Sequence, residues 1–151
     1  MIESSLTIIV TVISGVIVFV FTELFKEMVI EPLRKYREIK CKIAKNLIFY
    51  ANFYSNPLDI NKIEKDNPLY QKYVDASNEI RILAAELGGY IETISWFHPG
   101  VPRKEKLSSA YAELIGLSNS FFLTSSETDI YTRNINHVNA VRKKVGLYTR
   151  K

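Results

Sequence analysis

Nineteen consecutive residues, 4–22, carry no charge, and they stand between Glu3 and Glu23. From Leu24 onward charges are frequent. Inside the run, LTIIVTVISGVIVFVFT (6–22) is almost wholly apolar, and Leu24-Phe25 extend it past Glu23. About 20 apolar residues at 1.5 Å each reach roughly 30 Å, the thickness of a bilayer's hydrocarbon core. A stretch of this kind fits neither a uniformly soluble domain nor a disordered chain. A secretory signal peptide would need a basic leading segment, a shorter apolar stretch and a small-x-small cleavage site. Here only the amine and Glu3 carry charge ahead of the run, which leads straight into Glu23, Leu24, Phe25 and Lys26. A buried core helix would need an equally apolar partner, and the rest of the chain offers none. The expectation is a retained transmembrane helix, with 1–25 as the anchor and 26–151 as the part that follows it.

The flanks of the run set an expected orientation. No Lys or Arg precedes it, while Lys26, Arg34, Lys35, Arg37, Lys40, Lys42 and Lys45 follow closely. By the positive-inside rule the N-terminus lies outside and residues 26–151 lie in the cytoplasm, at an inner or plasma membrane. The chain has 151 residues, so about 120 remain beyond the anchor, which is one domain and excludes a multi-domain enzyme. Cys41 is the only cysteine, which excludes an intrachain disulfide framework and a four-cysteine zinc site.

Beyond the anchor, apolar residues recur at helical spacing four times. The first stripe is Leu33, Tyr36, Ile39, Ile43, Leu47, Tyr50 and Tyr54; the second is Tyr73, Ala76, Ile80, Leu83, Leu87, Ile91 and Ile94. Leu107, Ala110, Leu114, Leu117 and Phe121 form a third, and Tyr131, Ile135, Val138, Val141 and Val145 a fourth. Breaks fall at Ser55-Asn56-Pro57, Asn67-Pro68, His98-Pro99-Gly100 and Thr124-Ser125-Ser126. Ser126 with Asp129 three residues on resembles a capping box. No stretch alternates with period two for long enough to make a strand. The fold class expected is all-α: one transmembrane helix continuing into an antiparallel bundle of about four helices.

Three local features qualify that plan. Pro32 inside the first helix removes a backbone hydrogen bond and predicts a kink just below the membrane. Gly88-Gly89 weakens the second helix and marks a possible break. Residues 26–55 would run roughly 45 Å from the bilayer and 68–95 would return the same distance. That brings Trp96 and Phe97 to the membrane interface, where aromatic residues are favoured; the alternative is an ordinary apolar cap on the bundle. The basic cluster Arg142, Lys143, Lys144, Arg150 and Lys151 would then face anionic lipid.

The common catalytic motifs are missing: no glycine-rich phosphate loop, no G-x-S-x-G, no H-E-x-x-H and no CxxC. Nothing points to a cofactor or a metal. Cys41 between two lysines reads as an incidental thiol rather than a reactive one. One spacing has a catalytic look, because Arg133 and His137 are four residues apart and share a helix face. Its plain counterpart is a polar patch on the last helix. In the membrane, Ser4, Thr7, Thr11 and Ser14 step by three and four into one polar stripe, with Gly15 beside it. Small and hydroxyl residues let transmembrane helices approach and hydrogen-bond. Below them Glu23, Glu27 and Glu31 repeat every fourth residue, a line that becomes an acidic ring if copies assemble, as in cation pores. Against this, hydroxyls can bond their own backbone, and Glu31 can pair with Lys35.

The string Glu31-Pro32-Leu33-Arg34-Lys35-Tyr36-Arg37-Glu38-Ile39-Lys40, with Phe49-Tyr50-Ala51-Asn52, Ser55-Asn56-Pro57 and Ile115-Gly116-Leu117-Ser118-Asn119-Ser120, resembles a group of small prokaryotic single-pass proteins with helical cytoplasmic domains. Arg133-Asn134-Ile135-Asn136-His137 resembles the arginine–polar–histidine motif of HEPN ribonucleases, one residue short. There is a fainter similarity to the membrane accessory protein of an RNA-targeting CRISPR effector, which joins a span to a HEPN-like domain and assembles into a pore. These resemblances imply a self-associating membrane protein, as a pore or an antiviral defence effector, with the bilayer and copies of itself as partners. A HEPN-type ribonuclease acting on nucleic acid, with Arg133 and His137 at the phosphate, is the first alternative. An adaptor holding a cytoplasmic protein partner at the membrane is the second. The leading expectation is not an enzyme.

Overall fold

A computed structural model describes residues 2–94, 98–123 and 129–147. The chain opens with α1 (Ile2–Phe25), passes through a π-helical turn (Lys26–Ile30) and continues as α2 (Glu31–Phe49). This is one unbroken rod of roughly 70 Å. The expected kink at Pro32 takes the form of that π turn. A proline ring collides with the carbonyl four residues back and has no N–H to give it. Widening the turn relieves both, and the Glu31 amide accordingly donates five residues back, to the Lys26 carbonyl.

α2 ends earlier than the stripe implied. Tyr50 interrupts it, and a short α3 (Ala51–Ser55) follows. β1 (Leu58–Asp59) then leads to α4 (Pro68–Thr93), whose first turn is closed by the Asn67 side chain accepting from the Leu69 amide at 2.8 Å. Proline at the first position of α4 loses nothing, since that amide would lack an intrahelical partner anyway. Gly88-Gly89 does not break α4. A side chain at Gly88 would come within 3.3 Å of the Tyr111 ring, so this glycine lets the next helix approach closely. α5 (Lys104–Asn119), β2 (Phe122–Leu123) and α6 (Ile130–Lys144) complete the chain. Ser126 lies outside the described residues. Asp129 is the residue that caps α6, without a side-chain hydrogen bond.

The helices after α1 form an antiparallel bundle, α4 packing chiefly on α5 and α5 on α6. Long-range bonds fix the directions. Tyr90 near the end of α4 donates to the Pro32 carbonyl at 3.0 Å, and Tyr36 donates to the Val145 carbonyl at 2.7 Å. At the other end Ser77 donates to the Ser118 carbonyl at 2.8 Å and Tyr73 to the Asn56 carbonyl. α4 and α6 therefore both run back toward the foot of α1. The far end is closed by a two-residue parallel pairing, Leu58 with Phe122 and Asp59 with Leu123. The rings of Tyr50, Phe53, Tyr70, Tyr73 and Phe122 meet edge-on or tilted around it. Pieces this short have no room for period-two alternation, which is why the sequence does not announce them.

The core collects every residue of the second and third stripes. The fourth stripe holds at Val138, Val141 and Val145, with Ile135 packed against the core, and departs at its start. Tyr131 is exposed, and the buried line of α6 is Ile130, Asn134, Val138, Val141 and Val145. Asn134 is fully buried because its side-chain amide donates to the carbonyls of Tyr54 (2.9 Å) and Ser120 (3.2 Å).

Candidate functional site

Two places carry the residues of interest: the rod where it leaves the bundle, and the α5–α6 contact. The 18-residue apolar window near the N-terminus is long enough to cross a membrane and has none of its surface buried. Thr7, Thr11, Ser14 and Gly15 are all exposed on it, and a side chain built at Gly15 would meet nothing within 4 Å. The side chain of Ser4 lies outside the described residues. Thr11 donates its hydroxyl to the Thr7 carbonyl at 2.8 Å, as Thr22 does to Val18. The stripe's best-defined hydroxyl is thus satisfied within its own helix.

At the foot of α1 the acidic line is divided. Glu23 pairs with Lys26 at 3.4 Å. Glu31 pairs with Arg34 at 2.9 Å, and not with Lys35 as the four-residue spacing suggests. Arg34 also reaches Glu38 at 3.9 Å. Among the described residues, Glu27 and Lys35 make no ion pair. Glu27 and Glu31 do come together, in a cleft of about 350 Å³ between the start of α2 and the end of α4. Pro32, Arg34, Lys35, Glu38, Tyr90, Thr93 and Ile94 complete its walls; Glu23 is not part of it. Burial raises the Tyr90 hydroxyl to about 12, so it stays a donor to the Pro32 carbonyl at any physiological pH.

Trp96 and Phe97 lie outside the described residues. On either side of them Ile94 is buried, and Gly100, at φ +79°, sits so that a side chain there would be 3.2 Å from Leu33. Ile94 and Gly100 therefore lie at the foot of the rod, where the helix lengths put this end of α4. The C-terminal basic cluster is less free than its composition implies. Lys144 is held by Glu113 at 2.7 Å and Arg142 is half-buried, while Lys143 is exposed; Arg150 and Lys151 are outside the described residues.

The α5–α6 contact centres on Glu113, which the sequence reading did not single out. Its Oε2 lies 2.6 Å from His137 Nδ1 and its Oε1 2.7 Å from Lys144 Nζ. Burial works against ionisation of this carboxyl, but the bonds and charges of Lys144 and His137 outweigh it and hold Glu113 below the usual carboxylate range. An ionised carboxylate only accepts, so His137 Nδ1 carries the proton. The imidazole lies against Gly116, where an added side chain would be 2.8 Å from its Cε1. Arg133, one turn earlier, is exposed. Chemically this is a carboxylate-oriented imidazole, and equally a three-group clasp between two helices. His137 and Lys144 share a face of α6 two turns apart, but Glu113 stands 24 residues from His137 on another helix, and only the packing of α5 on α6 brings it to them.

Comparison with known protein families, with curated proteins and with solved structures found no match for this chain.

Proposed function

We propose that this chain is a single-span membrane protein whose helical bundle stands on the cytoplasmic surface and which self-associates through α1. The observation that carries the reading is the bare rod. α1 exposes an apolar surface all round, from Ile8 to Phe25, yet continues without a break into the helix that supplies Tyr36, Ile39, Ile43 and Leu47 to the core. An exposed apolar surface of this extent needs lipid or protein cover. Thr11 and Gly15 are four apart and both small, the pattern that lets two transmembrane helices approach. With Thr11 satisfied by its own backbone, close packing over Gly15 contributes more than hydroxyl bonds across the interface.

A pore or defence-type effector is the extension of this reading in which copies enclose water. Of the acidic line only Glu27 would then face the middle unpaired. Anchoring and orientation are tested together. The chain should stay in the membrane pellet at alkaline pH, and a reporter fused after Lys151 should be active only in the cytoplasm. Release by alkali, or a reporter active outside, contradicts the reading.

The second reading, a tethered ribonuclease of the HEPN type, draws on the Glu113-oriented His137. A general base needs its second nitrogen accessible, and His137 keeps about a quarter of its side chain exposed. Purified chain that cleaves RNA, and loses cleavage in Arg133→Ala/His137→Ala without losing its fold, favours this alternative; no cleavage in either leaves the first reading in place.

A further inference from the structure

We propose that the cleft at the foot of α1 binds the headgroup of a zwitterionic aminophospholipid, a phosphate with a primary ammonium. The proposal rests on the reading that α1 spans a membrane. If it does, the turns after Phe25 occupy the headgroup layer, and the cleft opens between them and the end of α4. Its volume of about 350 Å³ lies in the range of small-ligand sites.

The charges choose among headgroups. Three carboxylates and two cations line the cleft, and Arg34 is already neutralised by Glu31 and Glu38. A purely anionic headgroup would meet an excess of like charge. A quaternary ammonium is held best by a cage of aromatic faces, and Tyr90 is the single aromatic residue in the wall. A primary ammonium instead donates three hydrogen bonds to carboxylates. The two unpaired side chains are one of each sign, Glu27 for the ammonium and Lys35 for the phosphate. Both line the same cleft, about two turns apart along the rod.

The test uses the full chain in vesicles and nanodiscs of phosphatidylcholine containing a minority of phosphatidylethanolamine. Lipid that stays with the protein after mild detergent extraction is identified by mass. Phosphatidylethanolamine should be enriched over phosphatidylcholine and phosphatidylglycerol. Glu27→Gln with Lys35→Gln, which leaves net charge unchanged and alters two exposed positions, should reduce that enrichment about tenfold, the loss expected of one or two charge-assisted bonds. Glu64→Gln with Lys65→Gln, in the loop before α4, should not. Equal retention of all three lipids, preference for phosphatidylglycerol, or unchanged enrichment in the cleft variant overturns the proposal. Competition by free glycerophosphoethanolamine as effective as by the lipid assigns the site to a soluble ligand and overturns it too. Flotation separates the two levels. A chain that does not float with vesicles overturns the anchoring reading and this proposal together; one that floats without enrichment overturns this proposal alone.

Discussion

The carboxylate of Glu113 accepts from two groups on α6 at once, and it is the clearest single residue on which a stability measurement can act. Glu113→Gln keeps the shape but removes the charge that Lys144 and His137 face. Because these side chains are about three-quarters buried, the loss should be about 1–2 kcal/mol, above the range of exposed pairs. Its folded-state value is depressed, so the stabilisation is full above the ordinary carboxylate value near about 4.3 and is lost as pH falls through the lowered folded value. Melting of the two proteins should therefore differ at neutral pH and converge in acid. A difference that persists unchanged at the acid end would mean that Glu113 acts through packing rather than charge. Gly116 belongs to the same contact, since only a residue without a side chain leaves room for the imidazole.

At the scale of elements, the apolar stripes of α4 and α5 were legible to the residue, because each buries one continuous face. α6 was read correctly over Val138, Val141 and Val145 and missed only in its first turns, where Tyr131 is exposed. Its buried line includes Asn134, which a hydrophobic pattern counts as polar, and only its bonds to Tyr54 and Ser120 make it a core residue. The ion pair at the foot of the rod was misread: the four-residue spacing pointed to Lys35 as the partner of Glu31, and the fold selects Arg34, three residues on. Glu113 was illegible, since its partners come from another helix. The proline, in contrast, announced a disturbance, and the π turn is its local form. Pro32→Ala removes both the clash and the missing donor, so the segment Lys26–Ile30 should rewind as α-helix. One residue's change of register turns α1 by roughly 100° about the axis of α2. Spin labels on α1 and α4 should report changed distances in that variant while its melting changes little, because the Tyr90 bond is to a backbone carbonyl. Unchanged distances would mean the packing of α2, not Pro32, imposes the π turn.

For the molecule as a whole, an N-terminal helix long and apolar enough to span a membrane, the all-α class and the return of α4 to the foot of the rod follow from run length and helix length alone. Orientation and assembly depend on partners that a single chain does not contain. If α1 crosses a bilayer and meets α1 of another copy there, energy transfer between labelled copies in vesicles will report the contact. Donor- and acceptor-labelled chains are reconstituted together and then diluted with lipid. The account predicts transfer that persists on dilution, as expected for a specific complex, and that falls sharply for Thr11→Leu/Gly15→Leu although this variant stays in the membrane. Loss of the close approach over Gly15 should weaken association roughly tenfold, which corresponds to about 1.4 kcal/mol. Transfer that declines in proportion to protein density, and does so equally in the variant, would contradict it.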